Sequence, residues 1–209
     1  MALYHHFPSR RRDPSSPRER GTAVVEAAFV SLAFFTLIAI ILEGSGLIRD
    51  SLGVANMVRT GARTATVNGD DPLSDYYVLQ TIRKEGSSVG LDDLRLVVVY
   101  EANGFGNPPS DTCKGGAPVG TGTGECNVYT PSDLSRPLTD FGCKTPSSLS
   151  LDNAWCPADR KVAETGTNGP PDYVGVYVKY THDLVTGLFK GTSTMTDFVV
   201  VRMEPRKNQ

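Results

Sequence analysis

Histidine is scarce: His5, His6 and His182 are the only three in 209 residues. A nucleophile activated by an imidazole, or a mixed Cys/His zinc site, has little to draw on. His182 is expected at the surface, near the end of a strand. Net charge is equally slight, at −2, so there is no overall basic field for a nucleic acid. No Asn-X-Ser/Thr sequon occurs. "GFGNPP" lacks the third glycine of a dinucleotide loop, and "GGAPVGTGTGE" lacks the Lys and hydroxyl pair of a phosphate loop; the latter reads as flexible linker. Asp70-Asp71 and Asp92-Asp93 lack the alternating acids and central Gly of a calcium loop, and read as turn and capping residues. The expectation is a chain with no catalytic residues, no cofactor and no metal.

Charge is also missing from one long stretch. Ala27 to Leu42 carries none, and its only hydroxyls are Ser31 and Thr36; as a helix it spans roughly 24 Å. Extended over Thr22 to Ile48, with Glu26 and Glu43 at its shoulders, it reaches about 40 Å, enough for a hydrocarbon layer of about 30 Å. A single transmembrane helix over 22–48 follows. Arg10, Arg11, Arg12, Arg18 and Arg20 precede it, opposed by Asp13 and Glu19. That asymmetry predicts a cytoplasmic N-terminus and an exported body over 49–209. Residues 1–21 read as a basic, disordered leader. The alternative is a secretory signal cleaved near Gly44-Ser45-Gly46. A twin-arginine signal fits poorly, because Asp13 and Pro14 follow the arginines.

Cysteine is absent until the body: Cys113, Cys126, Cys143 and Cys156 are separated by 12, 16 and 12 residues. These gaps exceed those of a zinc site, and the expected compartment favours two disulfides. Three connectivities remain open. All four cysteines fall in 104–172, a Gly, Pro, Ser, Thr and Asn-rich insertion with no strong periodicity, where Trp155 is expected to seed a small apolar nucleus.

Around that insertion the pattern is α+β. Leu47, Ile48, Leu52, Ala55, Val58, Ala62 and Ala65 recur at three and four, so the first helix continues beyond the membrane with this face buried. Arg59 and Arg63 lie on another, solvated face. "NGDDP" ends the helix at 68–72. Ser74 or Asp75 is expected to cap a second helix through about Ser88, with Tyr76, Leu79, Ile82 and Val89 inward. "LRLVVVYEA" (94–102), "YVGVYVKY" (173–180) and "TDFVVVRME" (196–204) read as three strands of a small antiparallel sheet. Val174, Val176 and Val178 alternate with Tyr173, Tyr177 and Lys179, so one side of the sheet is expected to be buried.

The junction of leader and helix has a further pattern. Counting from the bond after Gly21, Thr22 is the first residue and Glu26 the fifth, directly ahead of the apolar run. This resembles the processing site of type IV pilin precursors. Together with "VANMVRTGARTATVNGDD", Arg202 and Glu204, "RERGTAVVEAAFVSLAFF" resembles the TadE-like family, minor pseudopilins of bacterial tight-adherence (Flp-type) pili. The likeness covers about 18–102 and 173–205 and omits the cysteine insertion. One position departs, since Ala27 stands where the family often carries an aromatic. The resemblance implies cleavage between Gly21 and Thr22 by a prepilin-type peptidase. It implies a single-pass protein of the bacterial cell membrane, non-catalytic, with other pilin-like or pilus assembly membrane proteins as partners and lateral packing through residues such as Ala28, Leu32, Phe35 and Ala39. The other reading is a membrane-anchored binding module or adhesin that uses the 104–172 loop.

Overall fold

The computed structural model describes residues 17–120, 124–144, 150–162, 170–184 and 191–204. The expected leader lies outside them as far as residue 16. The chain divides into two compact units, Met1–Gly44 and Ser45–Gln209.

In the first unit the described residues are helical throughout, as part of α1, Pro17–Asn68. The side chains from Gly21 to Ile38 are all exposed. Both hydroxyls of the uncharged run are satisfied within the helix: Ser31 Oγ donates to the Ala28 carbonyl at 2.9 Å and Thr36 Oγ1 to that of Leu32 at 2.8 Å. A helix needs no outside partner for its backbone, and with its hydroxyls bonded inward it suits a medium that offers no hydrogen bonds. It is long and apolar enough to cross a membrane.

The second unit begins with the rest of α1 and continues through α2 (Ser74–Gly86), β1 (Leu94–Ala102), a single turn α3 (Asp111–Lys114), β2 (Cys126–Tyr129), β3 (Tyr173–Asp183) and β4 (Thr192–Arg202). The sheet has four strands in the order β2-β1-β3-β4, with all neighbours antiparallel. The expected three strands are present, and the fourth, β2, comes from the insertion. One row across the sheet reads Asn127, Val99, Val176, Val199. β3 runs to Asp183, three residues past its expected end, and β4 starts four residues early.

Gly69, at φ +55°, ends α1 as "NGDDP" predicts. The buried face of α1 differs from expectation. Val58, Ala62 and Ala65 are buried, but so are Val54 and Met57, whereas Ile48 and Leu52 stay 65 % and 61 % exposed. With apolar residues all round its first turns, periodicity alone could not orient this helix. In α2, Ser74 and Asp75 do not cap. Leu73 holds the N-cap position, the Leu73 N–H donates to Asp71 Oδ1 at 2.8 Å, and Ser74 and Asp75 are buried within the first turn.

One core lies between the sheet and the two helices: Val54, Met57 and Ala62 of α1 and Leu79 and Ile82 of α2 meet Val97, Val99, Val174, Val176 and Val178. The far face of the sheet is buried as well. Leu96, Val98, Tyr100, Tyr177 and Val200 pack there with Cys113 and Cys126. The expectation of one buried side is therefore corrected. Two-sided burial suits the unbroken apolar run of β1, which does not alternate. At Gly175 a Cβ would lie 2.2 Å from the Tyr100 ring, so the aromatic closes over bare backbone and only glycine fits.

Candidate functional site

The sequence places its candidate processing residues on one helix, and all three are exposed there. Gly21, Thr22 and Glu26 lie within the first described turns of α1. A Cβ at Gly21 would meet nothing within 4 Å, so neither packing nor strain explains the glycine. Beyond Glu26, Phe29, Leu32, Phe34, Phe35 and Leu37 surround the helix with exposed apolar surface. Exposed apolar area of this extent is a binding surface for lipid or for other helices. Leu32, Phe35 and Ala28 are exposed and Ala39 is half-buried. Glu26 is the only charge between Gly21 and Glu43. A carboxylate within an apolar medium is costly unless paired.

The four cysteines form two disulfides, Cys113–Cys126 and Cys143–Cys156, which selects sequential pairing from the three open connectivities. Cys113 and Cys126 are buried in the far-face core. The other bridge closes a turn in which Cys143 takes φ +52°. Buried Asp152 holds that turn, accepting from the N–H of Gly142 at 2.9 Å and of Cys143 at 3.1 Å, and Ser150 Oγ also donates to it.

The insertion is part of the main core. Tyr129, Leu134, Phe141 and Trp155 pack with the helices and sheet, so Trp155 seeds no separate nucleus. A buried polar network ties it to α2. Arg160 Nη2 lies 2.7 Å from Asp75 Oδ1, with both side chains fully buried. Asn127 Nδ2 and the Tyr129 hydroxyl donate to Asp75 Oδ2 at 2.8 and 2.7 Å. Asn127 also brackets the Trp155 backbone, donating to its carbonyl and accepting from its N–H. The Arg160 guanidinium lies 4.0 Å over the Trp155 ring, while its Nε and Nη1 have no hydrogen-bond partner among the described residues. Burial, with the Asp75 charge beside it, holds the Tyr129 phenol well above its ordinary pKa.

A second buried pair joins α1 to β3. His182 is 6 % exposed, and its Nδ1 lies 2.6 Å from Asp50 Oδ2. The expected surface placement is thus corrected. The imidazole edge lies against Gly46, where a Cβ would come within 3.3 Å of Cε1. Nearby, the Tyr180 hydroxyl donates to the Val89 carbonyl at 2.8 Å, and burial, reinforced by Asp50, pushes Tyr180 up to about 12. Nothing in the sequence around His182 or Asp50 signals this contact, which closes over 132 residues.

The insertion also walls an open cleft of about 400 Å³ with Glu101, Glu125, Asp159, Lys161 and Asp172 on its lining. Burial, then the charges of Glu101, Asp159 and Asp172, raise the Glu125 carboxyl above its ordinary value. Among the described residues no group of three or more His, Cys, Asp or Glu is placed to hold a metal ion.

Neither the protein-family models, nor the curated proteins, nor the solved structures contain a match to this chain. What the site can do rests on its own geometry.

Proposed function

We propose that this chain is a minor pseudopilin or pilus assembly component of a tight-adherence (Flp-type) system, without catalysis of its own. The observation that carries the reading is the helical, exposed placement of Gly21, Thr22 and Glu26 at the head of an apolar helix that runs on into an α+β domain. A prepilin-type peptidase cuts between Gly21 and Thr22 on the cytoplasmic side. The new α-amino group then pairs with Glu26 of a neighbouring subunit, which relieves the cost of an acid at the mouth of an apolar segment. Aliphatic and aromatic residues of the same helix pack against other pilin-like membrane helices. The protein is single-pass in the bacterial cell membrane, with the domain beyond Ile48 outside the cytoplasm.

The test is the N-terminal sequence of the protein recovered from native membranes, together with the pilus yield of Glu26→Ala. A start at Thr22 and loss of pili are expected. A start at Leu47 would mean a secreted protein. An intact Met1 or Ala2 would mean an anchor that keeps its leader, and full piliation of Glu26→Ala would refute the assembly role.

The acidic cleft favours a second reading, a membrane-anchored binding module or adhesin. Deleting 104–172 cannot separate the two, because it removes β2, Leu134, Phe141 and Trp155 from the core. Charge reversal in the cleft can. Glu125→Lys with Asp159→Lys leaves pili intact and abolishes adhesion if the cleft is a binding surface.

A further inference from the structure

The first turns of α1 in the second unit hold apolar surface that the domain does not use. Leu47, Ile48, Ser51 and Leu52 form a shallow groove with Met195 of β4, of about 360 Å³. Ile48 and Leu52 stand one turn apart and are both well exposed, whereas Val67, Tyr77, Phe105 and Leu138 are exposed singly. Scattered apolar residues are ordinary on a protein surface. A groove shared by a helix and a sheet edge is a different arrangement.

We propose that this groove is where the folded domain rests on the lipid bilayer, with acyl chains and the headgroup boundary as its occupant. The proposal builds on the reading of the apolar segment as a membrane span. Chain continuity decides the occupant. Leu47 and Ile48 close the span read over 22–48, and Ser51 and Leu52 follow Ile48 by three and four residues, or about 4–6 Å at 1.5 Å per residue. The headgroup region occupies about 5–8 Å on each side of the hydrocarbon, and apolar faces lying in the interface sink about 5–10 Å. The groove therefore falls at the depth where lipid meets water. Its polar member fits that setting, since Ser51 is exposed beside Leu52. The acid next to Ser51 in the chain, Asp50, is turned inward onto His182. Size argues against a protein occupant: a specific protein interface buries upwards of about 1,000 Å², and five residues provide far less. The contact would fix the tilt of the domain and cover the start of the open edge of β4.

No cysteine among those in the chain is free, so one introduced thiol can be spin-labelled selectively. The full chain carrying Ile38→Cys, Leu52→Cys, Met195→Cys or Val67→Cys, one at a time, is reconstituted into phosphatidylcholine/phosphatidylglycerol vesicles. Collision with oxygen is compared with collision with a water-soluble nickel complex. Leu52 and Met195 should favour oxygen several-fold, as Ile38 does. Val67 is equally apolar and exposed but about 22 Å further along the helix, and should favour nickel. Nickel access at Leu52 and Met195 equal to that at Val67, with Ile38 still in lipid, overturns the proposal and leaves the span intact. Shielding from both reagents at Leu52 and Met195 overturns it in favour of a protein occupant. Nickel access at Ile38 overturns the span, and the proposal with it.

Discussion

Replacing Asp75 by Asn keeps the shape of the side chain and removes its charge. The Asn127 and Tyr129 donors converge on Oδ2 and retain an oxygen acceptor, while the Asn amide is turned toward Arg160 Nη2, formerly 2.7 Å from Oδ1. Two donors then oppose each other, and a fully buried guanidinium is left without a counter-ion. Breaking a buried pair from one side costs about 3–5 kcal/mol, and turning two charge-assisted hydrogen bonds into neutral ones adds up to about 1 kcal/mol each. A loss of roughly 4–6 kcal/mol follows. At about 2–4 °C per kcal/mol for a domain of this size, Tm should fall by ~8–24 °C. Trp155 is the only tryptophan and sits beneath Arg160, so its fluorescence in the detergent-solubilised full chain reports the unfolding directly. Because most of that loss is the cost of a stranded buried charge, Asp75→Asn with Arg160→Met, which keeps the acceptor for Asn127 and Tyr129 and removes the guanidinium, should regain most of it. A single-variant loss under ~1 kcal/mol, or a double variant no better than the single, would refute the view that this ion pair is what binds the insertion to α2.

Other consequences are open to equally direct checks. Chymotrypsin cuts the oxidised protein between Cys126 and Cys143, after Tyr129 or Phe141, and should release two separately bridged products on mass analysis; a product still joining the two halves would contradict the Cys113–Cys126 and Cys143–Cys156 pairing. Gly175→Ala sets a methyl against the Tyr100 ring, whose hydroxyl is held by the Asn107 carbonyl at 2.8 Å, and should cost about 1–3 kcal/mol in chemical denaturation. Tm should be flat from about pH 8 to 10 and then fall. Tyr100, Tyr129, Tyr177 and Tyr180 all titrate above their ordinary value in the folded protein because of burial. The unfolded chain therefore loses those protons first, and the stabilisation present below about pH 10 is lost at up to ~1.4 kcal/mol per pH unit for a phenol as deeply buried as Tyr129. An unchanged Tm at pH 11 would rule this out.

The parts of the fold that were legible are those whose evidence is local. The apolar run, "NGDDP" and the three longer strands each carry periodicity or punctuation within a dozen residues. β2 does not. Four residues in a Gly- and Pro-rich stretch become a strand only because β1 offers an edge, with Val97 opposite Tyr129 and Tyr100 opposite Cys126. Burial of the far face did have a signal in the unalternating "LVVV" of β1, which outweighs the alternation seen in β3. The Asp75–Arg160 and Asp50–His182 pairs had none, because neither partner is near the other in the chain and each residue alone suits a cap or a surface. Ile48 and Leu52 show the opposite failure: their period is helical and apolar, but it could not say which apolar neighbours the sheet would take.

Each disulfide links residues 13 positions apart, and both close before β3 begins. As the chain emerges from its N-terminal end, α1, α2, the β1–β2 ribbon and both covalent staples can be complete while the last two strands are still unsynthesised. β1 then waits with one edge occupied by β2 and the other bare. The β3–β4 hairpin, itself a local pairing, is the last piece to arrive, and by docking on that edge it buries Val97 and Val99 beside Val176 and Val178. A chain stalled or truncated after Asp172 would be correctly oxidised and still display an unpaired strand, the form in which quality-control proteases and chaperones would meet it.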